Sequence, residues 1–244
     1  MSTVHTLVGL SLAASLGMGC TDQGDRILYI VQNNEPGENC VISSDVSAVF
    51  IPSGMIDLGS VQGYSFTPVI QSYATVNSGQ SDVARTVLVR GARVDVTFAD
   101  KTLFTDEEIN GTDGLRARKL THFETLFSGS VAPGGTIGVK YDLLPSGLIS
   151  EIRDHLGDRG ETLVLTNSVV YGTMNGGEVE SQDFPFAITA VQEGGLENHV
   201  GACADLPAGF EADKGGVCNT YQDRPIDCCD GAMGQLICPA APPA

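Results

Sequence analysis

Up to about residue 190 the chain alternates hydrophobic and polar positions. In RVDVTF (93–98), Val94, Val96 and Phe98 fall on one face and Arg93, Asp95 and Thr97 on the other, which is the period of a half-buried strand. Segments with the same period or with β-branched runs recur at ILYIVQN (27–33), CVIS (40–43), MIDL (55–58), YSFTPVIQSYATV (64–76) and ARTVLVRGARVDVTF (84–98). They continue at THFETLFSGSV (121–131), TIGVKYDL (136–143), ETLVLTNSVVYGTM (161–174) and EVESQDFPFAIT (178–189). Turn-forming clusters separate them, and NGG at 175–177 predicts a tight hairpin between two long strands. One segment has the helical period instead. PSGLISEIRDHL (145–156) places Leu148, Ile149, Ile152 and Leu156 on one face, with Pro145 and Ser146 at its start and Gly157 at its stop.

This pattern predicts a mainly β protein: an immunoglobulin-like β-sandwich over 27–195 with one short helix. Residues 196–244 lose the strand pattern, gain cysteines and glycines, and end in PAAPPA. They predict a small disulfide-rich C-terminal appendage.

The first nineteen residues contain no Asp, Glu, Lys or Arg, and LVGLSLAASLGM (7–18) is apolar with small residues. A membrane span needs about twenty apolar residues. This run is too short for that and fits the hydrophobic part of an export signal. The next residues, LGMGC, resemble a bacterial lipobox, with Gly19 before the cysteine and Gly17 where an aliphatic residue usually stands. The resemblance implies a signal peptide at 1–19, acylation (palmitate among the chains) of Cys20, and a polar tether at 20–26. Several acyl chains make a lasting membrane anchor. Thr21 follows Cys20 where an aspartate would signal retention, so the expected address is the outer membrane, periplasmic or surface-facing.

Of seven cysteines, setting aside Cys20 leaves Cys40, Cys203, Cys218, Cys228, Cys229 and Cys238. An even set in an exported chain reads as disulfides. Five lie in the tail, so at least one must pair outside it if all are oxidised, and Cys40 is the available partner. Adjacent Cys228 and Cys229 are expected to pair elsewhere rather than with each other. No C-x₂₋₄-C spacing is present, so the cysteines predict neither zinc nor redox catalysis.

The chain has 244 residues, thirty acids against thirteen bases and a formal charge of -17. That balance excludes nucleic acid as a partner, and it argues against electrostatic attraction to anionic headgroups. No catalytic motif is present. His122, His155 and His199 share no ligand spacing, and Asp57, Asp95 and Asp142 sit in separate strand patterns. Asp106, Glu108, Asn110 and Asp113 in DEEINGTDG are a calcium-loop candidate, but Ala117 stands where the loop needs its bidentate Glu. A plain acidic turn is the preferred reading, with no metal and no cofactor.

VQNNEPGENC (31–40), SVVYGTMNGGEVESQDFPFAI (168–188) and NTYQDRPIDCC (219–229) together resemble uncharacterised lipoproteins of the myxobacterial type. The resemblance implies an anchored sandwich with a cysteine-rich tail and assigns no activity. The function expected is a non-catalytic, lipid-anchored envelope protein whose sandwich binds an unknown protein or surface ligand. The alternative is a structural envelope assembly subunit. An enzyme or carbohydrate-binding module comes third, since the chain has no Trp for stacking on sugars.

Overall fold

The computed structural model describes residues 26–60, 62–75 and 82–240. In chain order the strands and helices begin with β1 (Leu28–Asn33), β2 (Gly54–Asp57), β3 (Tyr64–Phe66), β4 (Pro68–Ser72), α1 (Asp82–Arg85) and β5 (Val87–Phe98). They continue with α2 (Asp106–Asn110), β6 (His122–Val131), β7 (Thr136–Gly138), β8 (Tyr141–Leu144) and α3 (Ser146–Leu156). The last are β9 (Glu161–Met174), β10 (Gly177–Glu180), β11 (Phe184–Val191), β12 (Glu197–Ala202), β13 (Ile226–Asp230) and β14 (Leu236–Ile237).

The fold is mainly β, a sandwich with a disulfide-rich part. The larger sheet runs β2-β11-β9-β5-β6, with β10 continuing along β9 beyond the end of β11. Its pairings are antiparallel except β2 with β11. Opposite lie β1-β4-β7 and the pair β3-β8. One core joins both layers, with Leu28, Ile30, Phe66 and Ile70 from the smaller sheets against Val94, Val164, Val170 and Ile188 from the larger. α3 buries the four residues expected of it, and no described helix is long and apolar enough to cross a membrane.

A bulge in β5 sets its register. Val87 and Val89 face inward, then Ala92, Val94, Val96 and Phe98 do, so the inward set changes parity at Arg90–Gly91. The extra residue at the bulge keeps both halves of a twelve-residue strand on the same core. Gly91 suits the place, because a Cβ there would stand 2.4 Å from the Thr125 carbonyl. The Asn175–Gly176 turn has positive φ at both residues, the geometry of the expected hairpin.

Several details differ from the sequence reading; among them, TIGVKYDL (136–143) splits into β7 and β8 in different sheets, and EVESQDFPFAIT (178–189) into β10 and β11. CVIS is not a strand: Glu38–Cys40 form a 3₁₀ turn, Asn39 and Cys40 take positive φ, and Asn34 Nδ2 donates to the Ser43 and Asp45 carbonyls. Those contacts hold the segment as a loop. The run 64–76 breaks at Thr67, whose N–H and hydroxyl both reach Asn33 Oδ1, so β3 and β4 enter different sheets. The helix at 145–156 is joined by two shorter ones, α1 and α2, the latter held by a Thr105–Glu108 capping box. The tail is not strandless: β12, β13 and β14 form a three-stranded sheet around a small core of Cys203, Cys229 and Ala240. So small a core needs covalent support, which its disulfides supply.

Candidate functional site

The tail joins the sandwich at a seam. Its segment 219–224 lies along the outer edge of β2 and beside β3. Asp57 N–H donates to the Tyr221 carbonyl at 3.0 Å, and Asp223 N–H donates to the Met55 carbonyl at 2.9 Å. These bonds continue the sheet past its edge strand and cover backbone groups that would otherwise be open. At β3 a side chain does the same work. Gln222 Nε2 donates to the Ser65 carbonyl at 2.8 Å, and Gln222 Oε1 accepts from the Ser65 N–H at 2.9 Å. Asn219 Nδ2 donates to the Gly63 carbonyl at 3.1 Å. Fully buried Asp57 fixes the entry to the tail, accepting from the N–H groups of Gly59, Gly194 and Leu196.

A cleft of about 260 Å³ opens at this seam, between the loop over 35–53 and the tail over 216–224. Pro36, Phe50, Ile51, Pro52 and Val217 give it an apolar wall, with Phe50 54% and Val217 48% exposed. The polar side is Ser65, Asn219, Gln222 and Asp223. Asp223 Oδ1 accepts from Met55 N–H at 2.8 Å and from the Tyr64 hydroxyl at 3.0 Å. Its Oδ2 accepts from Gln222 Nε2 at 2.8 Å. Burial raises the Asp223 carboxyl above its ordinary value; the three donors pull it down by less, and the charge of Glu35 adds to the rise. Burial, then the Asp223 charge, pushes the Tyr64 hydroxyl far up, so it stays a neutral donor. Arg224 pairs with Glu35 among the lining residues. The Cys40–Cys218 disulfide straps the two sides together, with Cys40 exposed. The cleft thus combines an apolar wall with the carboxylates of Glu35 and Asp223.

The other expected site residues lie elsewhere. Cys20 and the expected signal at 1–19 are outside the described residues. Cys203 bonds to Cys229 and Cys228 to Cys238, so each of the adjacent cysteines pairs elsewhere. Glu197, Cys228 and Cys238 bring ligand atoms within 4.8 Å of one another, but the two sulfurs are bonded together and offer no thiolate. The calcium-loop candidate does not gather its ligands. Asp106, Glu108 and Asn110 are in α2 and Asp113 is in the turn after it. Glu108 is already committed, with Oε2 accepting from Thr105 N–H and hydroxyl and Oε1 facing His155 Nε2 at 3.0 Å. Asp95 pairs with His122 on the outer sheet face, while Asp142 accepts from the Ser65 hydroxyl. His199 lies in β12. Phe50, Gln222, Asp223 and Arg224 were not singled out from the sequence. The available signal was the dense polar run TYQDR between two cysteines, which only chain folding brings to β2 and β3.

A second cavity, lined by Phe104, Glu107, Asp113, Arg118, Glu151 and His155 among others, lies between α2 and α3. His155 Nδ1 faces the Glu151 carbonyl at 2.9 Å, and Arg118 pairs with Glu151 at 2.7 Å. These contacts join the two helices across an open surface cavity of about 390 Å³ with charged walls.

No protein-family model and no curated protein matches the chain. Among solved structures, a protein from Archaeoglobus fulgidus aligns at 10% identity over 57% of this chain and 93% of its own, with a TM-score of 0.34. AggA, the major subunit of aggregative adherence fimbriae type I from Escherichia coli, aligns at 10% identity over 58% of this chain and 90% of its own, with a TM-score of 0.23. Both scores are too low to argue from.

Proposed function

We propose that the chain is an exported, lipid-anchored binding module of the cell envelope, held at the outer membrane through acylated Cys20 and without catalytic activity. Its ligand site is the cleft between sandwich and tail. The observation that carries this reading is the cleft's construction: exposed Phe50 and Val217 face a half-buried carboxylate fixed by three hydrogen bonds, and a disulfide spans the two sides. An exposed apolar wall beside convergent polar groups is the usual form of a ligand site. Three disulfides fit an oxidising compartment outside the cytoplasm.

Two measurements test the reading. Small-fragment titration of the oxidised protein, followed by amide NMR, is expected to shift Ile51, Ser53, Val217 and Asn219 together. Hits that gather only in the gap between α2 and α3, or nowhere, overturn the cleft assignment. Labelled palmitate is expected to enter the wild-type chain in its host and to be lost in Cys20→Ala; label that persists in the mutant removes the anchor.

The assembly-subunit reading has its own observation. β6 ends the larger sheet, pairing by backbone only with β5 among the described residues, and Leu126 on it is 79% exposed. In a chain of charge -17, β5 and β6 carry Arg90 and Arg93 against Asp95 and Glu124, and so are neutral together. An open edge with no net charge across its last two strands suits the addition of a partner's strand. A photocrosslinker at Leu126 in the intact envelope should trap a protein partner that the same group at Leu163 does not; equal trapping at both removes this reading.

A further inference from the structure

The floor of the cleft holds a negative charge that no described cation answers. Asp223 is half-buried, and its three donors, the Met55 N–H, the Tyr64 hydroxyl and the Gln222 amide, are all neutral. The Tyr64 hydroxyl lies 3.0 and 3.1 Å from the two carboxylate oxygens but has one proton to give, so three donor protons serve about four acceptor positions. Arg224, the next residue, turns to Glu35 instead. Beside this carboxylate stands the exposed ring of Phe50, with Pro36, Pro52 and Val217 continuing the apolar surface. The volume, about 260 Å³, suits one long side chain rather than a bulky ligand.

We propose that the cleft takes a basic side chain, the guanidinium or ammonium group of an arginine or lysine in an extended peptide, with its stem against Phe50 and its charge between Asp223 and Glu35. This rests on the cleft being the ligand site. A long basic side chain has the two parts the cleft needs, an apolar stem and a charged tip. The tip gains a charge-assisted hydrogen bond at the open Asp223 position and a favourable approach to the Phe50 ring. An anion would meet two carboxylates and one arginine that is already paired. A wholly apolar group would cover Asp223 and strand its open acceptor away from water. The formal charge of -17 steers basic segments toward the molecule from a distance. The Glu35–Arg224 pair is the internal version of the same contact, and the incoming cation competes with it for Glu35.

The test is calorimetric titration of the oxidised full chain with capped pentapeptides Gly-Ser-X-Ser-Gly, where X is Arg, Lys, Ala or Glu, and with spermidine. The Arg and Lys peptides are expected to bind at least tenfold more tightly than the Ala peptide, and more weakly as salt rises; the Glu peptide is expected not to bind. Asp223→Asn and Glu35→Gln are each expected to lower Arg-peptide affinity at least fivefold. Glu35→Gln leaves the seam hydrogen bonds of Asp223 in place and alters only the ion pair to the largely exposed Arg224, so it keeps the test valid if the Asp223 variant disturbs the seam. Equal binding of Arg and Ala peptides at Ile51 and Val217 overturns the cationic preference while keeping the cleft as a ligand site. Binding of spermidine without either basic peptide overturns the peptide assignment. Basic-peptide affinity unchanged in both variants, or no binding by any probe, overturns the proposal outright.

Discussion

At Gln222 a primary amide stands in for a strand residue, donating to the Ser65 carbonyl and accepting from its N–H. Gln222→Ala removes both partners from buried backbone groups. The expected loss is about 1–3 kcal/mol by urea unfolding. His155 shows a different dependence at the same scale. Both its ring nitrogens face acceptors, the Glu151 carbonyl and the Glu108 carboxylate, and only a doubly protonated ring can donate to both. Partial burial lowers its pKa, but the Glu151 carbonyl and Glu108 outweigh that, and the net shift is upward. Glu108 is drawn down to about 2, first by the Thr105 N–H and then by His155. A raised histidine contributes stability below its unfolded value of 6.5 and loses it as pH rises through its folded value. A lowered carboxylate contributes above its unfolded value of 4.5 and loses it as pH falls toward 2. The contact between α2 and α3 is therefore complete between 4.5 and 6.5. Exchange protection of the Ile109 amide, corrected for intrinsic rates, should fall above that window, and His155→Gln should flatten the fall. Protection unchanged through pH 8 would contradict it.

Among the elements, α3 was plain from the sequence because its four apolar residues repeat at the helical period and its end residues suit start and stop. Its buried face predicts a large cost for Ile152→Ala, about 2–5 kcal/mol by chemical denaturation, since Ile152 is fully buried in the common core. Thr105→Ala, which removes the α2 cap, should cost about 0.5–2 kcal/mol. α2 was read as an acidic turn because five residues are too few for a helical period to show. CVIS failed in the other direction. Its β-branched residues look like a strand, but the disulfide at Cys40 and the Asn34 contacts claim that segment as a loop. The β5 bulge lies between these cases: Gly91 and the change of alternation were both in the sequence, yet the parity shift became meaningful only against β6 and β9.

For the whole molecule, Cys40–Cys218 closes the longest loop, with a sequence separation of 178. In the chain-entropy account a loop of that length corresponds to about 5 kcal/mol of stabilisation. The double variant Cys40→Ala/Cys218→Ala should unfold at lower denaturant by an amount in the range of about 2–5 kcal/mol, with the sandwich still folding cooperatively. Cys40 is exposed, whereas Cys203, Cys228 and Cys229 are buried. Brief treatment with a mild thiol reductant, followed by alkylation and mass mapping, should therefore label Cys40 and Cys218 first. Labelling of Cys203 or Cys229 at the same rate would contradict the exposure argument.

Periodicity alone determined the mainly β class, the long central strands, the main helix and the hairpin at Asn175–Gly176. Those features depend on residues near one another in the chain, where alternation and turn chemistry act directly. Cysteine parity determined that the tail must reach back to Cys40 if all six are oxidised. Which tail cysteine bonds to Cys40, the three-stranded sheet in the tail, and the cleft were decided only by the tertiary structure. Asp57 and Asp223 show the reason. Each is a carboxylate in an ordinary polar context, and each becomes distinctive because backbone N–H groups remote in sequence converge on it: those of Gly194 and Leu196 on Asp57, and that of Met55 on Asp223. Such convergence leaves no spacing to read, since it joins the last quarter of the chain to its first third.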